Sequence, residues 1–348
     1  MGQDVSSKTR IVEFDWLKVS ALLLLLLVHS NLYDVFPGVI FPIKWILISD
    51  FFFVSGFLMF DSFHKRETSI KNFFKSKILS LYIPFAVAAI FYFFIEIAAG
   101  VPLKGDPLRL LSQVSLLDIF DEVNTGLYNW GFLWFIPYLL VFMFIVCILE
   151  RYVKSAKHQV LIVSFVWFCT ILAWVFNVPM KLGKDFSQYL LVFTVGFWLS
   201  KLELYERIMS FKTALVAVPI VALFSLNLSG LFNSNTAIET LVSLLYSNGR
   251  SIILSLSVIL LVLLFLRKIK IPGNRYVKVI AETSIFIYLS EPFFSYVLRM
   301  YVFGQPTIYF AAGADFYLYL IMRGAILFVA VPLVYKVIKN WRASRQSF

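Results

Sequence analysis

The sequence has few charged residues and few of the residues that build metal sites or disulfide bonds. Of its 348 residues only 15% are charged, with three histidines and two cysteines. Cys147 and Cys169 lie inside apolar runs without the paired spacing of a metal site, and we interpret them as core residues. No HxxxH or CxxC motif occurs. These absences argue against a metal centre and against a tightly bound metal cofactor.

Hydrophobic residues, in contrast, are abundant. They make up 60% of the chain, and the mean hydropathy is +0.85, well above the range of a soluble domain. The net charge of +11 suggests a nucleic-acid partner at first sight. The basic residues, however, fall in short loops between apolar runs, where orientation in a membrane explains them. We therefore predict a multi-pass membrane protein without a nucleic-acid partner.

Apolar runs of about 17 to 22 residues recur along the chain and predict about ten transmembrane helices in an all-α fold. We expect the stretch 231–249 to add a partial or interfacial helix. The predicted helices cover residues 14–33, 39–60, 78–99, 131–149, 159–178, 186–200, 213–230, 250–267, 280–300 and 314–335.

Lysine and arginine gather in alternate loops, and this pattern predicts the orientation of the chain. The positive-inside rule places both termini in the cytoplasm of a cell whose plasma membrane holds the protein. His29 and the polar residues after it do not fit a cleaved signal peptide, so we expect the first helix to be retained. With no repeat or linker, residues 1–348 are predicted to form a single membrane domain without an appended soluble domain.

The first apolar stretch, Phe14 to Leu32, carries two ionisable residues of different depth. Lys18 and His29 enclose ten residues, none of them charged. In a helix, that spacing puts the two side chains roughly 16 Å apart along the axis. Lys18 is therefore expected at the cytoplasmic edge and His29 inside the bilayer.

Four ionisable residues are predicted at a common depth in the membrane: His29, Asp50, Glu291 and Arg323. Their positions along their helices put them roughly 13 to 20 Å from the inner face of the hydrocarbon core. A charge at that depth costs at least a few kcal/mol unless it faces a partner or a water-filled cavity. The four residues therefore predict a shared polar pocket.

These residue types suit acyl or proton transfer. Histidine can accept a proton near neutral pH, a carboxylate such as Asp50 or Glu291 can orient its ring, and Arg323 can stabilise an oxyanion. The alternative is structural. Arg323 would then pair with Asp50 or Glu291 to fix helix packing, and His29 would only complete a hydrogen bond.

A second group of basic residues is predicted at the inner face: Lys18, Arg66, Lys71, Lys75 and Lys77. Such a cluster can hold the phosphates of a nucleotide-bearing ligand. The alternative is that these charges only set topology or meet anionic lipid.

Several motifs resemble the integral-membrane acyltransferase type 3 family, bacterial enzymes that O-acylate surface polysaccharides and related glycans. EFDWLKVSALLLLLLVH resembles the family's first helix, with Lys18 where arginine is more common. SDFFFVSGFLMF, with Ser55 and Gly56, and FFKSKILSLYIPF, with Lys75 and Lys77, resemble later motifs. GFLWFIPYLL and SIFIYLSEPFF follow in the same order, and Glu291 stands where the family often has histidine.

The resemblance implies transfer of an acyl group, commonly acetyl from acetyl-CoA, to a hydroxyl of a cell-surface or lipid-linked sugar. Acyl-CoA would be a donor substrate at Lys18, Lys75, Lys77 and Ser55, and no cofactor would be tightly bound. His29 would act as general base, with Asp50, Glu291 and Arg323 around it. Direct transfer is the default, although His29, Ser55 or Cys147 could carry an acyl group.

Two other classes of function remain open from the sequence. In a transporter or flippase of lipid-linked sugars, the charges at mid-depth would form a substrate or proton site, and no acyl donor would bind. In a membrane sensor or assembly partner, they would be packing pairs. The sequence does not choose between acetyl and succinyl groups, name the acceptor or define the oligomeric state.

Overall fold

The computed structural model describes residues 10–29, 37–64, 69–98, 110–111, 114–115, 133–176, 184–225, 237–304 and 314–346. Within these ranges the protein is all-helical and contains no strand. This agrees with the predicted all-α class. Arg66, which is predicted at the inner face, and most of the residues between the predicted helices 78–99 and 131–149 lie outside the described residues.

Three of the described helices continue into single π-helical turns. The α-helices are α1 (Val12–Val28), α2 (Pro37–His64), α3 (Ile70–Lys77), α4 (Ile83–Ala98), α5 (Phe135–Tyr152), α6 (Ala156–Val175), α7 (Lys184–Lys201), α8 (Tyr205–Ile208), α9 (Phe211–Ser225), α10 (Ala237–Lys268), α11 (Arg275–Glu282), α12 (Ser284–Val297), α13 (Ala314–Ala325) and α14 (Val331–Gln346). The π-helical turns are Ile78–Tyr82, Leu298–Val302 and Ile326–Ala330.

Five helical runs in the described part of the chain are long and apolar enough to cross a membrane. They are Ile70–Ile95, Phe135–Tyr152, Ala156–Val175, Ile238–Lys268 and Ala314–Trp341. Many of their large apolar side chains are exposed, for example Val87 and Phe94 on α4 and Leu161 on α6. Such surfaces suit contact with lipid rather than water. The protein is therefore a membrane protein.

Helix α2 lies at the centre of the bundle, where it packs against α1, α5, α7 and α10. Its crossing with α7 is unusually close because each helix contributes a glycine. A Cβ atom on Gly56 would overlap the carbonyl oxygen of Phe193, and one on Gly196 would overlap that of Phe53. Small residues of this kind let helix backbones approach in membranes. The Ser-Gly-Phe motif of α2 therefore has a packing role at Gly56.

Aromatic rings fill the core beside this crossing. Phe52 is fully buried, and its ring contacts those of Phe135, Phe142 and Tyr189 at centroid distances of 4.7, 5.1 and 5.0 Å. The neighbouring Phe53 is also fully buried but belongs to a second cluster with Phe14. The phenylalanine-rich run of α2 thus joins two parts of the core.

A buried polar cluster ties together α5, α6 and α7. Gln159 donates from Nε2 to Glu150 Oε2 at 2.9 Å and accepts at Oε1 from Trp198 Nε1 at 2.9 Å. Lys201 pairs with the same Glu150 carboxylate at 2.7 Å. Each of these polar groups therefore has a partner, as burial in an apolar bundle requires.

Some helix boundaries differ from those predicted. Lys71, Lys75 and Lys77, expected in a loop, lie in α3, because Ser69 caps its N-terminus by accepting from the Asn72 amide at 3.3 Å. Residues 237–249 do not form a separate interfacial helix but continue into α10. The predicted helix 280–300 is divided between α11 and α12.

Candidate active site

The described residues bring together three of the four ionisable residues predicted at mid-depth. His29 caps the C-terminus of α1, and its Nδ1 lies 3.0 Å from Oε2 of Glu291 on α12. The other carboxylate oxygen of Glu291, Oε1, forms an ion pair with Nη2 of Arg323 on α13. Glu291 therefore connects His29 with Arg323.

Arg323 has further polar neighbours that hold it in place. Its Nη1 donates to the Leu26 carbonyl at 3.4 Å and to the Tyr319 hydroxyl at 3.2 Å. The Tyr319 hydroxyl lies 2.6 Å from that of Ser295. A continuous chain of polar groups thus runs from Ser295 through Tyr319, Arg323 and Glu291 to His29, and we call it the polar chain.

Burial differs sharply along the polar chain. The side chain of Arg323 is 0% exposed and that of Glu291 is 4% exposed, whereas the His29 side chain is 32% exposed. A buried ion pair has to be well satisfied to be tolerated in an apolar interior. The polar chain gives Arg323 an ion-pair partner and two hydrogen-bond acceptors, and it leaves His29 as its accessible end.

The contact with Glu291 determines which nitrogen of His29 can act as a base. An ionised carboxylate only accepts hydrogen bonds, so Nδ1 of His29 carries the proton and donates it to Glu291. In that tautomer the lone pair is on Nε2. The arrangement of a carboxylate, a histidine and a lone pair on Nε2 suits general-base catalysis.

Asp50, the fourth residue predicted at mid-depth, is not part of the polar chain. Its side chain is only 3% exposed, and its Oδ1 has no hydrogen-bond partner among the residues that the structure describes. Neither His29 nor Arg323 forms a hydrogen bond or ion pair with it, while the adjacent Ser49 donates to Ser255 on α10 at 3.0 Å. Of the two carboxylates that the sequence offers for orienting His29, Glu291 is therefore the one beside its ring.

A cavity of about 490 Å³ lies toward the other end of α1. Lys18, Ser55, Ser80 and Glu282 supply polar groups to its wall. Phe51, Phe135 and Tyr288 also line it. Tyr288 precedes Glu291 by three residues on α12, so this cavity extends to within about one helical turn of the polar chain. We call it the Lys18 cavity.

Lys18 makes no hydrogen bond or ion pair with the described part of the protein. The charges of Asp15, Arg10, Lys77 and Glu282 lie close enough to influence it, yet none of them is within ion-pair distance. An ammonium group in the wall of a cavity is costly without a partner. The Lys18 cavity is therefore suited to an anionic group.

The other two predicted lysines lie beside this cavity. Lys75 lines a shallow, open cavity of about 470 Å³, which shares Leu79 and Ser80 with the Lys18 cavity. Lys77 lies over the Phe73 ring at 5.2 Å. The π-helical turn that contains Leu79 and Ser80 connects the basic helix α3 with the cavity wall. Ser55, Lys18 and Lys75 thus border two adjoining spaces.

Glu282, which lines the Lys18 cavity, forms an ion pair with Arg10. Arg10 donates to Asp15 at 2.5 Å and to Glu282 at 2.9 Å. The hydrogen bond to Asp15 raises the pKa of the Arg10 guanidinium, so this cation is permanent. Glu282 also lines the cavity, and its position beside Arg10 reduces the repulsion that it would exert on an entering anion.

A larger groove of about 840 Å³ between α4, α12 and α14 is mostly apolar. It shares Pro84, Phe286 and Tyr335 with the Lys18 cavity. None of the eight predicted site residues lines it. The groove is therefore not the candidate site.

The sequence reasoning did not identify Ser295 and Tyr319. Both stand in apolar helices, where serine and tyrosine are common. A signal was nevertheless present, because Ser295 follows Glu291 by four residues and Tyr319 precedes Arg323 by four. Residues with that spacing share a helix face, so each lies beside a charge that needs hydrogen-bond partners.

The fold and the site define a helical membrane protein with a buried charged centre and, nearby, a cavity lined by Lys18. Comparison with protein families assigns it more narrowly. The model of the acyltransferase type 3 family, described as an acyltransferase domain, matches residues 11–335. The chain therefore belongs to this family, as its motifs suggested, and is an acyltransferase.

Comparisons with curated proteins and with solved structures found no match for the chain. The family thus establishes acyl transfer and the membrane setting.

Proposed function

We propose that the protein is an O-acyltransferase that moves an acyl group, by default acetyl, from acyl-CoA to a hydroxyl of a cell-surface or lipid-linked sugar. The observation that carries this proposal is the contact between His29 Nδ1 and Glu291 Oε2, at 3.0 Å, with His29 still partly exposed. A histidine held in this way can remove a proton from a sugar hydroxyl.

The donor would bind with its phosphates near Lys18, Lys75 and Lys77. Lys18 lines a cavity without a partner of its own in the described chain, and phosphates are strong acceptors for lysine. The thioester arm would extend through the Lys18 cavity toward His29, about 16 Å along α1. Ser55 in the cavity wall would donate a hydrogen bond to this arm.

The acceptor hydroxyl would enter from the opposite side of the membrane and give its proton to His29 Nε2. The alkoxide attacks the thioester carbonyl, and the collapse of the tetrahedral intermediate releases CoA as thiolate. The proton on His29 then passes to the thiolate, so no acyl-enzyme is needed. Glu291 stabilises the imidazolium, and Arg323 keeps Glu291 charged in the apolar interior.

The topology that fits this route has about ten membrane spans in the plasma membrane and both termini in the cytoplasm, in a single domain. The basic residues of α3 and of the loops then lie on the side where acyl-CoA is present.

The test is the thermal midpoint of the purified protein with acetyl-CoA, succinyl-CoA and CoA. Ligand at about 100 times its dissociation constant adds roughly 2.7 kcal/mol to the stability of the native state. We expect a rise in the midpoint that is lost in Lys75→Ala/Lys77→Ala and kept in Lys212→Ala, a control at an exposed lysine. A folded protein that responds to no acyl-CoA would contradict the proposal and favour a transporter of lipid-linked sugars.

A further inference from the structure

Helix α12 has a weak point next to Glu291. Pro292 lies inside the helix and has no backbone N–H, so the carbonyl of Tyr288 lacks its usual intrahelical donor. Proline inside a helix commonly allows a bend at this position. The orientation of Glu291 toward His29 therefore needs support from outside α12.

The hydroxyl of Tyr92 on α4 contacts α12 at this turn. It donates to the carbonyl oxygen of Leu289 at 2.5 Å and accepts from the amide of Phe293 at 3.3 Å. These two groups are hydrogen-bond partners in a regular helix, so the Tyr92 hydroxyl contacts both partners of one helical turn. Tyr92 is 2% exposed, so its hydroxyl is shielded from competing water.

Tyr92 and the polar chain hold α12 from different sides. Leu289 and Phe293 are four residues apart and share one helix face, while Glu291 lies two residues from each and points away from that face. On its own side Glu291 meets His29 and Arg323. The turn that contains Glu291 and Pro292 is thus fixed by hydrogen bonds from two directions.

We propose that Tyr92 is a positioning residue for Glu291. Its hydroxyl restrains the turn beside Pro292 and so keeps Glu291 Oε2 within hydrogen-bond distance of His29 Nδ1. Its effect reaches the reacting atoms only through Glu291 and His29. The importance of Tyr92 for catalysis rests on the proposed function, because it matters only if His29 is the base.

The tautomer of His29 distinguishes a positioning role of Tyr92 from a purely structural one. If Tyr92 only stabilised the fold, its removal would leave the tautomer unchanged. The chain has three histidines, so substitution of His64 and His158 by glutamine leaves His29 as the only one. In this background the ¹⁵N chemical shifts of the ring report which nitrogen carries the proton. We expect the Nδ1-protonated tautomer with Tyr92, and a mixture of tautomers in Tyr92→Phe.

Tyr82→Phe is the matched control. It removes one hydroxyl from the same helical run, where Tyr82 donates to the Val114 carbonyl at 2.8 Å. Both variants should lower the thermal midpoint, but only Tyr92→Phe should change the His29 tautomer. An unchanged tautomer in Tyr92→Phe would overturn the proposal.

A second variant keeps the proposal testable if Tyr92→Phe does not fold. Pro292→Ala restores the missing N–H, so Tyr92→Phe/Pro292→Ala should recover a regular turn and the Nδ1-protonated tautomer. A folded double variant that still shows mixed tautomers would contradict the proposed role. The rise in thermal midpoint with acyl-CoA is a separate measurement on the wild-type protein. If acyl-CoA does not raise the midpoint, the proposed function is overturned, but the tautomer result stands.

Discussion

His29 and Glu291 are 262 residues apart in the chain, yet Nδ1 of one lies 3.0 Å from Oε2 of the other. This contact joins the first helix to α12 and gives the histidine a defined tautomer. It also connects the accessible end of the polar chain with the fully buried Arg323. The same pair that supports catalysis therefore contributes to the packing of the bundle.

Replacement of His29 should stop acyl transfer without preventing donor binding. Loss of a general base costs typically 10²- to 10⁴-fold in rate, while Lys18 and the cavity remain in place in His29→Gln. The measurement is the transfer of labelled acetyl from acetyl-CoA to glycans in membranes that contain the protein. His158→Gln, at an exposed histidine, is the control, and a His29→Gln protein with the control's rate would argue against a base at this position.

Removal of Arg323 should destabilise the protein strongly. In Arg323→Met the Glu291 carboxylate stays buried without its cation, which typically costs about 3–5 kcal/mol. Glu291→Gln/Arg323→Met removes both charges and should recover part of that loss. The thermal midpoints of the single and double variants measure the effect. An Arg323→Met midpoint equal to that of the wild type would show that the ion pair does not hold the bundle together.

A methyl group at the crossing of α2 and α7 should also be costly. Gly56→Ala places a Cβ against the backbone of Phe193, so the two helices must separate and lose packing, a cost of about 1–3 kcal/mol. Gly249→Ala is the matched control, because nothing lies within 4 Å of its new Cβ. The control should be neutral or more stable by up to about 1 kcal/mol. A Gly56→Ala midpoint as high as the control's would be inconsistent with this crossing.

Gln159 should be needed for the polar cluster between α5, α6 and α7. In Gln159→Leu, the Trp198 indole N–H and the Glu150 carboxylate each lose a buried partner. An unsatisfied buried group costs about 1–3 kcal/mol. The thermal midpoint should fall accordingly, whereas the acetyl-CoA shift should persist because this cluster is separate from the Lys18 cavity. A midpoint at the wild-type value would mean that water replaces Gln159.

The sequence predicted the membrane class and the proximity of three ionisable residues in the candidate site, because charges in apolar helices carry a large energetic cost. His29, Glu291 and Arg323 were expected at one depth, and the structure brings them into contact. Asp50 has a similar position along its helix but makes no described contact with them. Depth follows from counting residues, whereas the direction in which a side chain points depends on how the helices pack.

The features that were missed depend on tertiary contacts or on local caps. Tyr92 stands among phenylalanines in an apolar run, and the sequence gives no sign that its hydroxyl reaches α12. The basic residues at 71–77 were expected in a loop, because a short polar stretch before an apolar run resembles one. These residues instead form a helix, because Ser69 is its N-cap and a serine there can start a helix.

The most direct test of the account is the dissociation constant of acetyl-CoA for the wild-type protein and for Lys18→Met. The methionine keeps the apolar stem of the side chain and removes the ammonium group. A lost charge-assisted hydrogen bond is worth about 1.5–3 kcal/mol, so we expect binding to weaken roughly 10- to 150-fold. Lys212→Met, at an exposed lysine, should bind like the wild type. Equal affinity in Lys18→Met and Lys212→Met would contradict a donor site at the Lys18 cavity.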